Sequence, residues 1–305
     1  MTAPRPCGKG VDLRRVRHRP GRKIRMDSAP RPLGTMVAYG FERGSVAVDL
    51  DVAALLGATC LEILPDWSRL PDPLVMRDLA ADRGLSIHSA HGCWGGRSIR
   101  APRVDLGSTD PSTWQASLDD LRACLDWLRS AGGSCLIVHP GGYSDPAERD
   151  ARADALSRSL LALAEHAGPS GPVLCVENMP PGVHPGSRMA DLTRIVSGLN
   201  LPGVGLAIDT GHALLVASPA DETRAAGDWL RTTHVHDNDG RKDSHLPPGA
   251  GAVDWDAWAA SLDEIRYCGP IMLECIRLLR QDPAIIDERF LARLSTLTGG
   301  PRDRR

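Results

Sequence analysis

The chain has 305 residues, 42% hydrophobic and 24% charged, the balance of a soluble globular protein rather than a disordered one. No apolar run approaches the roughly 20 residues that a bilayer span needs, and Gly and Pro follow no fixed period. Transmembrane, collagen-like and coiled-coil readings are therefore excluded. Net charge is only −2, but residues 1–25 carry nine basic side chains against the single acid Asp12, which leaves the rest of the chain at −10.

Residues 1–30 read as a basic, unstructured arm. The arm has no apolar core of the kind a secretory leader carries, so a cytoplasmic protein is expected. The acidic body counts against nucleic acid as its partner.

Eight short apolar runs follow: LGTMVAYG (33–40), TCLEIL (59–64), LSIHSAH (85–91), SCLIVHP (134–140), PVLCVEN (172–178), GVGLAID (203–209), TTHVHD (232–237) and PIMLEC (270–275). Their β-branched content and near-continuous apolarity suit strands buried on both faces. Amphipathic stretches separate them. DPSTWQASLDDLRACLDWLRSAGG opens on an Asp/Ser/Thr cap region and closes on Gly132 and Gly133, and AERDARADALSRSLLALAEHAG and DWDAWAASLDEIRYCG do likewise. Trp255 and Trp258, at helical spacing in the last of these, are expected to pack helix against sheet, and Trp67 to pack a loop.

Eight strand–helix units predict an α/β chain folded as one (β/α)8 TIM barrel over residues 31–298, with a basic N-terminal extension and a tail at 299–305. A doubly wound open sheet would need a Gly-rich phosphate loop after the first strand, and FERGS after MVAYG is none. The longest irregular stretches, 92–113 and 237–254, both follow strands, on the face where barrels carry their sites. The eight cysteines form no CxxC and several lie within apolar runs, so they read as reduced, buried small hydrophobes.

The strand ends carry the chemistry. His91 ends the third run, His139 the fourth, Glu177 the fifth and Asp209 the sixth, with His212 about one helical turn further on. His234 and His236 lie two apart on the seventh, Asp243 and His245 in the loop after it, and Glu274 ends the eighth. A lone strand-end His is more often a hydrogen-bonded structural residue, and a buried Glu usually pairs with Lys or Arg. Yet the chain has only Lys9, Lys23 and Lys242, and Arg277 is the one basic residue close to Glu274. Ten convergent imidazoles and carboxylates suit zinc, manganese, iron or cobalt, and without thiolates the site is expected to keep open positions. Glu62 has two readings, a substrate contact or a structural ion pair.

The motifs LIVHPGG, LCVENMP, GLAIDTGHA, HVHDNDGRKDSHLPPGAGAVDW and IMLEC resemble those of the xylose isomerase-like TIM-barrel superfamily, which includes sugar phosphate isomerases and epimerases and AP endonuclease family 2. The resemblance covers roughly residues 33–296. It implies a four-ligand metal site at Glu177, Asp209, the strand-seven His and Glu274. It also implies a fuller set, the nine ligands of a three-metal cluster: His91, His139, Glu177, Asp209, His212, His234, Asp243, His245 and Glu274. His234 opens an HxxD with Asp237, which fits the family's pattern. His236 opens another with Asp239, so the register stays open.

The implied activity is that of a metal-dependent sugar, sugar phosphate or polyol isomerase or epimerase, using one to three ions of Zn, Mn, Co or Fe. Glu177 and Glu274 would pass a proton through a metal-bound enediolate. Two alternatives share the site: an AP endonuclease-type phosphoesterase and an enolate-type dehydratase or lyase. A non-catalytic ligand-binding barrel is a third. The loop after His91 reads GCWGGRSIR, where the endonucleases carry an aromatic and apolar DNA wedge, which opposes DNA cleavage. Trp94 is a candidate to stack on a sugar. Asn178 is expected to bind substrate or to close its strand, and Arg241 (or Arg97 or Arg100) to bind a phosphate or carboxylate. Family members often form homodimers, and no motif here requires one.

Overall fold

The structure is a computed structural model that describes residues 30–41, 45–94 and 104–299. The expected arm and tail lie almost wholly outside these residues, as do Arg97 and Arg100.

Eight parallel strands form the sheet: β1 (Leu33–Tyr39), β2 (Cys60–Pro65), β3 (Ser86–His91), β4 (Cys135–Val138), β5 (Val173–Glu177), β6 (Val204–Asp209), β7 (Leu230–His234) and β8 (Ile271–Leu273). Their order is β7-β6-β5-β4-β3-β2-β1-β8. A parallel bridge between Val235 and Leu273 then brings β7 to β8 and closes the ring. The fold is the expected (β/α)8 barrel.

Strand parity explains which residue does what. Successive side chains of a strand face opposite ways. Leu136, Val138, Leu174, Val176, Leu206 and Ile208 face outward and join the large core between sheet and helices. Cys135, Ile137, Cys175 and Ala207, of the other parity, form a small separate cluster inside the barrel. The next residues of that inward parity are His139, Glu177 and Asp209. The same bookkeeping carries Ser89 to His91 on β3, and Met272 to Glu274 at the end of β8.

The helices that matter for the site begin and end where the sequence signals them. The helix Pro111–Ala131 starts on Asp110, whose carboxylate accepts from Thr113 N, and stops at Gly132 in the left-handed conformation, φ 81°. The helix Trp255–Glu264 starts on Asp254, and Trp255 and Trp258 meet edge to face, buried under it, at 5.5 Å. The short helix Thr210–Leu214 begins directly at Asp209, whose side chain caps it by accepting from His212 N at 2.6 Å. Trp67 packs edge-on against Trp127 and donates to His91 O at 3.0 Å. The seven described cysteines are all unbridged. Among the described residues, no helix is long and apolar enough to cross a membrane.

Candidate metal centre

The carboxyl ends of β3 to β8 bring the expected residues to one place. Glu177, Asp209, His234 and Glu274 each offer a ligand atom, and those atoms all lie within 4.8 Å of one another. Two further groups meet the same condition: His91 with His139 and Glu177, and His236 with His245 and Glu274. Glu177 belongs to two of the three groups and so does Glu274. His212 and Asp243 complete the set. His212 Nε2 is 3.3 Å from Asp243 Oδ2, and its Nδ1 donates to Asn178 O at 2.9 Å. All nine residues implied as ligands therefore converge, together with His236.

Glu177 is the most crowded member. One oxygen lies 3.0 Å from His234 Nδ1, and the other lies 3.2 Å from His139 Nε2 and 3.7 Å from His91 Nε2. Glu274 Oε2 lies 3.2 Å from His234 Nδ1. Asp243 Oδ2 is 3.1 Å from His245 Nε2, while His245 Nδ1 donates to Glu274 O. His236 and His245 stack nearly parallel at 4.1 Å. Gly211 leaves room for this stack, since a Cβ there would meet His236 Cε1 at 1.9 Å.

The donor set fits a divalent cation. Glu177 Oε2 and Glu274 Oε2 are buried atoms that make no well-aligned hydrogen bond, each with an imidazole nitrogen 3.2 Å away, and His236 Nδ1 is likewise buried without a partner. Unpaired buried carboxylate oxygens are costly unless a cation compensates them. Among the described residues no Lys or Arg ion pair reaches either glutamate, and Arg277 does not pair with Glu274.

The electrostatics separate the two glutamates. Burial alone would raise Glu177, but the His234, His139 and His91 imidazoles outweigh it and hold its carboxyl well below the usual carboxylate range. Burial raises Glu274, and His234 and His245 offset this only in part. Burial would lower His212, yet the carboxylates of Asp209, Asp243 and Glu177 push it up to about 10.

A cavity of about 660 Å³ opens over the cluster. Trp94, Arg241, Lys242 and Tyr143 line it, with Met36, Leu64, Met179 and Leu215 as apolar wall. Trp94 stacks on His139 at 6.0 Å, and its ring forms part of this wall. Asn178 is placed differently. Its amide donates to Asp209 O and accepts from Asp209 N, it is fully buried, and it does not line the cavity. Both ends of its amide are thus paired on the backbone of Asp209. Glu62 likewise has no contact with the cavity; it is fully buried beneath His234. The apolar wall was not legible in the sequence. Tyr143, Met179 and Leu215 differ in no local way from core residues, and Lys242 was legible only by its rarity.

Fold and site together define a (β/α)8 barrel with a carboxylate–imidazole centre at the carboxyl ends of its strands. The chain belongs to the xylose isomerase-like TIM barrel family, whose model matches residues 50–292. It is 28% identical over 242 residues to an L-ribulose 3-epimerase of Methylomonas sp. (strain DH-1), across 76% of this chain and 79% of that protein. It is 27% identical over 189 residues to the uncharacterized protein MJ1311 of Methanocaldococcus jannaschii, across 58% of this chain and 63% of that protein. Among solved structures, the IOLI protein with a binding zinc atom superposes with a TM-score of 0.70 at 18% identity, over 87% of this chain and 99% of that one. At that identity the likeness shows the fold alone.

Proposed function

We propose that this chain is a divalent-metal-dependent isomerase or epimerase of a sugar, sugar phosphate or polyol. The observation that carries the proposal is the pair Glu177 and Glu274. They stand at the ends of well-separated strands and reach one cluster, where each has a buried oxygen that faces imidazole nitrogens and no Lys or Arg among the described residues. The relative named L-ribulose 3-epimerase supports the substrate class, and the zinc of the IOLI protein supports the cofactor.

Glu177, Asp209, His234 and Glu274 would hold the ion, and their oxygen and nitrogen donors suit Zn, Mn, Co or Fe. When bound, such an ion supplies charge that polarises adjacent carbonyl and hydroxyl oxygens and acidifies the neighbouring C–H. The chain's own residues do the rest. Glu177, held in its ionised form, takes the proton from the carbon beside the carbonyl. The substrate passes to an enediolate. Glu274 returns a proton to the opposite face for epimerisation or to the adjacent carbon for isomerisation. One proton leaves and one returns, so the reaction is redox-neutral overall. Trp94 offers a ring to the sugar face, and Arg241 offers a cation to a phosphate or carboxylate.

The test is turnover of a panel of ketoses and their phosphates in D2O, followed by NMR. We expect deuterium to enter at a carbon next to the carbonyl. Glu274→Gln is expected to lower kcat by roughly 100-fold or more, the usual loss for a general acid or base. Intact turnover in Glu274→Gln would sink the reading. A dehydratase or lyase using the same pair would release water or a cleaved product instead.

A second reading is favoured by one observation. The groups His91–His139–Glu177 and His236–His245–Glu274 offer places for further ions beside the first. Two or three metals would suit phosphoester hydrolysis of the AP endonuclease type. Elemental mass spectrometry of protein purified without chelator, with Glu177→Ala as control, counts them. One ion per chain supports the isomerase or epimerase, and two or three bring phosphoesters forward.

A further inference from the structure

One carboxylate beneath the centre is used by none of the chemistry above. Glu62 lies on β2 with the inward parity, one layer below the ligands, and it is fully buried. Both of its oxygens are engaged. Oε2 accepts from Ser89 Oγ at 2.6 Å, and Oε1 accepts from His234 Nε2 at 2.8 Å. With Nε2 turned down to Glu62, the other ring nitrogen of His234 faces up. That Nδ1 lies 3.0 Å from Glu177 Oε1 and 3.2 Å from Glu274 Oε2, inside the group of four.

The neighbouring strand-seven imidazole is held differently. His236 directs Nε2 at Asp209 Oδ2, itself a member of the cluster, at 2.9 Å, and its Nδ1 is buried with no hydrogen-bond partner. Of the two histidines, only His234 is gripped from behind by a carboxylate that belongs to no ligand group.

We infer that Glu62 is a positioning residue of the metal centre. Through the chain Ser89–Glu62–His234 it fixes the ring and the Nε2–H tautomer of His234, and so presents Nδ1 as the ligand atom. This rests on the reading of the cluster as a divalent-metal centre, and it settles the His234/His236 register in favour of His234. A carboxylate on the far nitrogen also raises the basicity of the ligating one. Removing such a partner typically costs about 10–100-fold in metal affinity.

The experiment titrates the full chain with Zn²⁺ against a competing chromophoric chelator. The proteins are wild type, Glu62→Gln, Ser89→Ala and His234→Ala. Glu62→Gln is expected to weaken Zn²⁺ binding about 10–100-fold, and Ser89→Ala to weaken it in the same direction by less. The ¹⁵N signals of the His234 ring in the Zn²⁺-loaded wild type are expected to report protonated Nε2. Melting of each metal-free protein separates folding from binding. Should Glu62→Gln not fold, Ser89→Ala and the ¹⁵N signature decide the matter. Zn²⁺ affinity within twofold of wild type in Glu62→Gln or, failing that, in Ser89→Ala overturns the inference, whatever happens to melting. So does a His234→Ala protein that binds as well as the wild type, which leaves a metal centre standing without His234. A wild type that binds no Zn²⁺ overturns the underlying functional reading instead.

Discussion

Asn178 illustrates how a residue beside the chemistry can serve it without touching substrate. Its amide closes two hydrogen bonds on the backbone of Asp209, 31 residues away, and both groups are fully buried. Asp209 in turn caps the short helix Thr210–Leu214 and so sets where the helix that carries His212 begins. Truncation at Asn178 would leave a buried N–H and C=O unpaired, at about 1–3 kcal/mol for each group. Asn178→Ala is therefore expected to lower the melting temperature and to weaken metal binding together. Calorimetry with a parallel metal titration checks this; an unchanged melting temperature would contradict it. The sequence flagged Asn178 because it adjoins Glu177. It did not show the partner, because the contact joins two strands that only the barrel brings side by side.

At the scale of elements, the seventh strand and its loop decide the site's outer half. The apolar run spans 232–237, whereas β7 runs Leu230–His234. Pairing with β6 starts at Leu230, and β8 has only three residues to offer on the other side. Beyond the single bridge at Val235 the chain leaves the sheet, and Asp237 takes over its hydrogen bonding. Asp237 is fully buried. Its Oδ1 accepts from Asn238 N and Val253 N, and its Oδ2 from Gly249 N and Trp255 Nε1. One carboxylate thereby latches both ends of the loop that carries Asp243 and His245. Asp237→Ala should release that loop while leaving Glu177, Asp209, His234 and Glu274 in place. We expect faster proteolysis within 239–252 and loss of any ion beyond the first, read by limited digestion and elemental analysis. Retention of a protected loop in Asp237→Ala would refute the latch.

At the scale of the molecule, the centre ties six strands, β3 to β8, at one end of the barrel. An ion held there would bind the folded chain and not the unfolded one, and so would stabilise it by mass action, by about 2.7 kcal/mol at 100 times its Kd. Chelation is expected to lower the melting temperature by several degrees, reversibly on adding the ion back. A scan with and without EDTA that superimposes would count against a resident metal. The same convergence concentrates acids and imidazoles in a buried space that an all-protein interior would not favour. The layer below it is apolar at β4 to β6, where Ile137, Cys175 and Ala207 pack together with Cys135.

The sequence by itself determined the eight strands, the capped helices and the candidate ligands at the strand ends. Those properties are local: burial on both faces makes a continuous apolar run, a cap is read within one turn, and ligands must be His, Asp or Glu. The tertiary structure alone decided the partners of Glu62 and Asn178, the end of β7 and the wall of the cavity. Glu62 meets His234 across 172 residues of chain, and no local pattern encodes such a contact. It arises only when the sheet closes and inward parity stacks one strand's second layer beneath another strand's first.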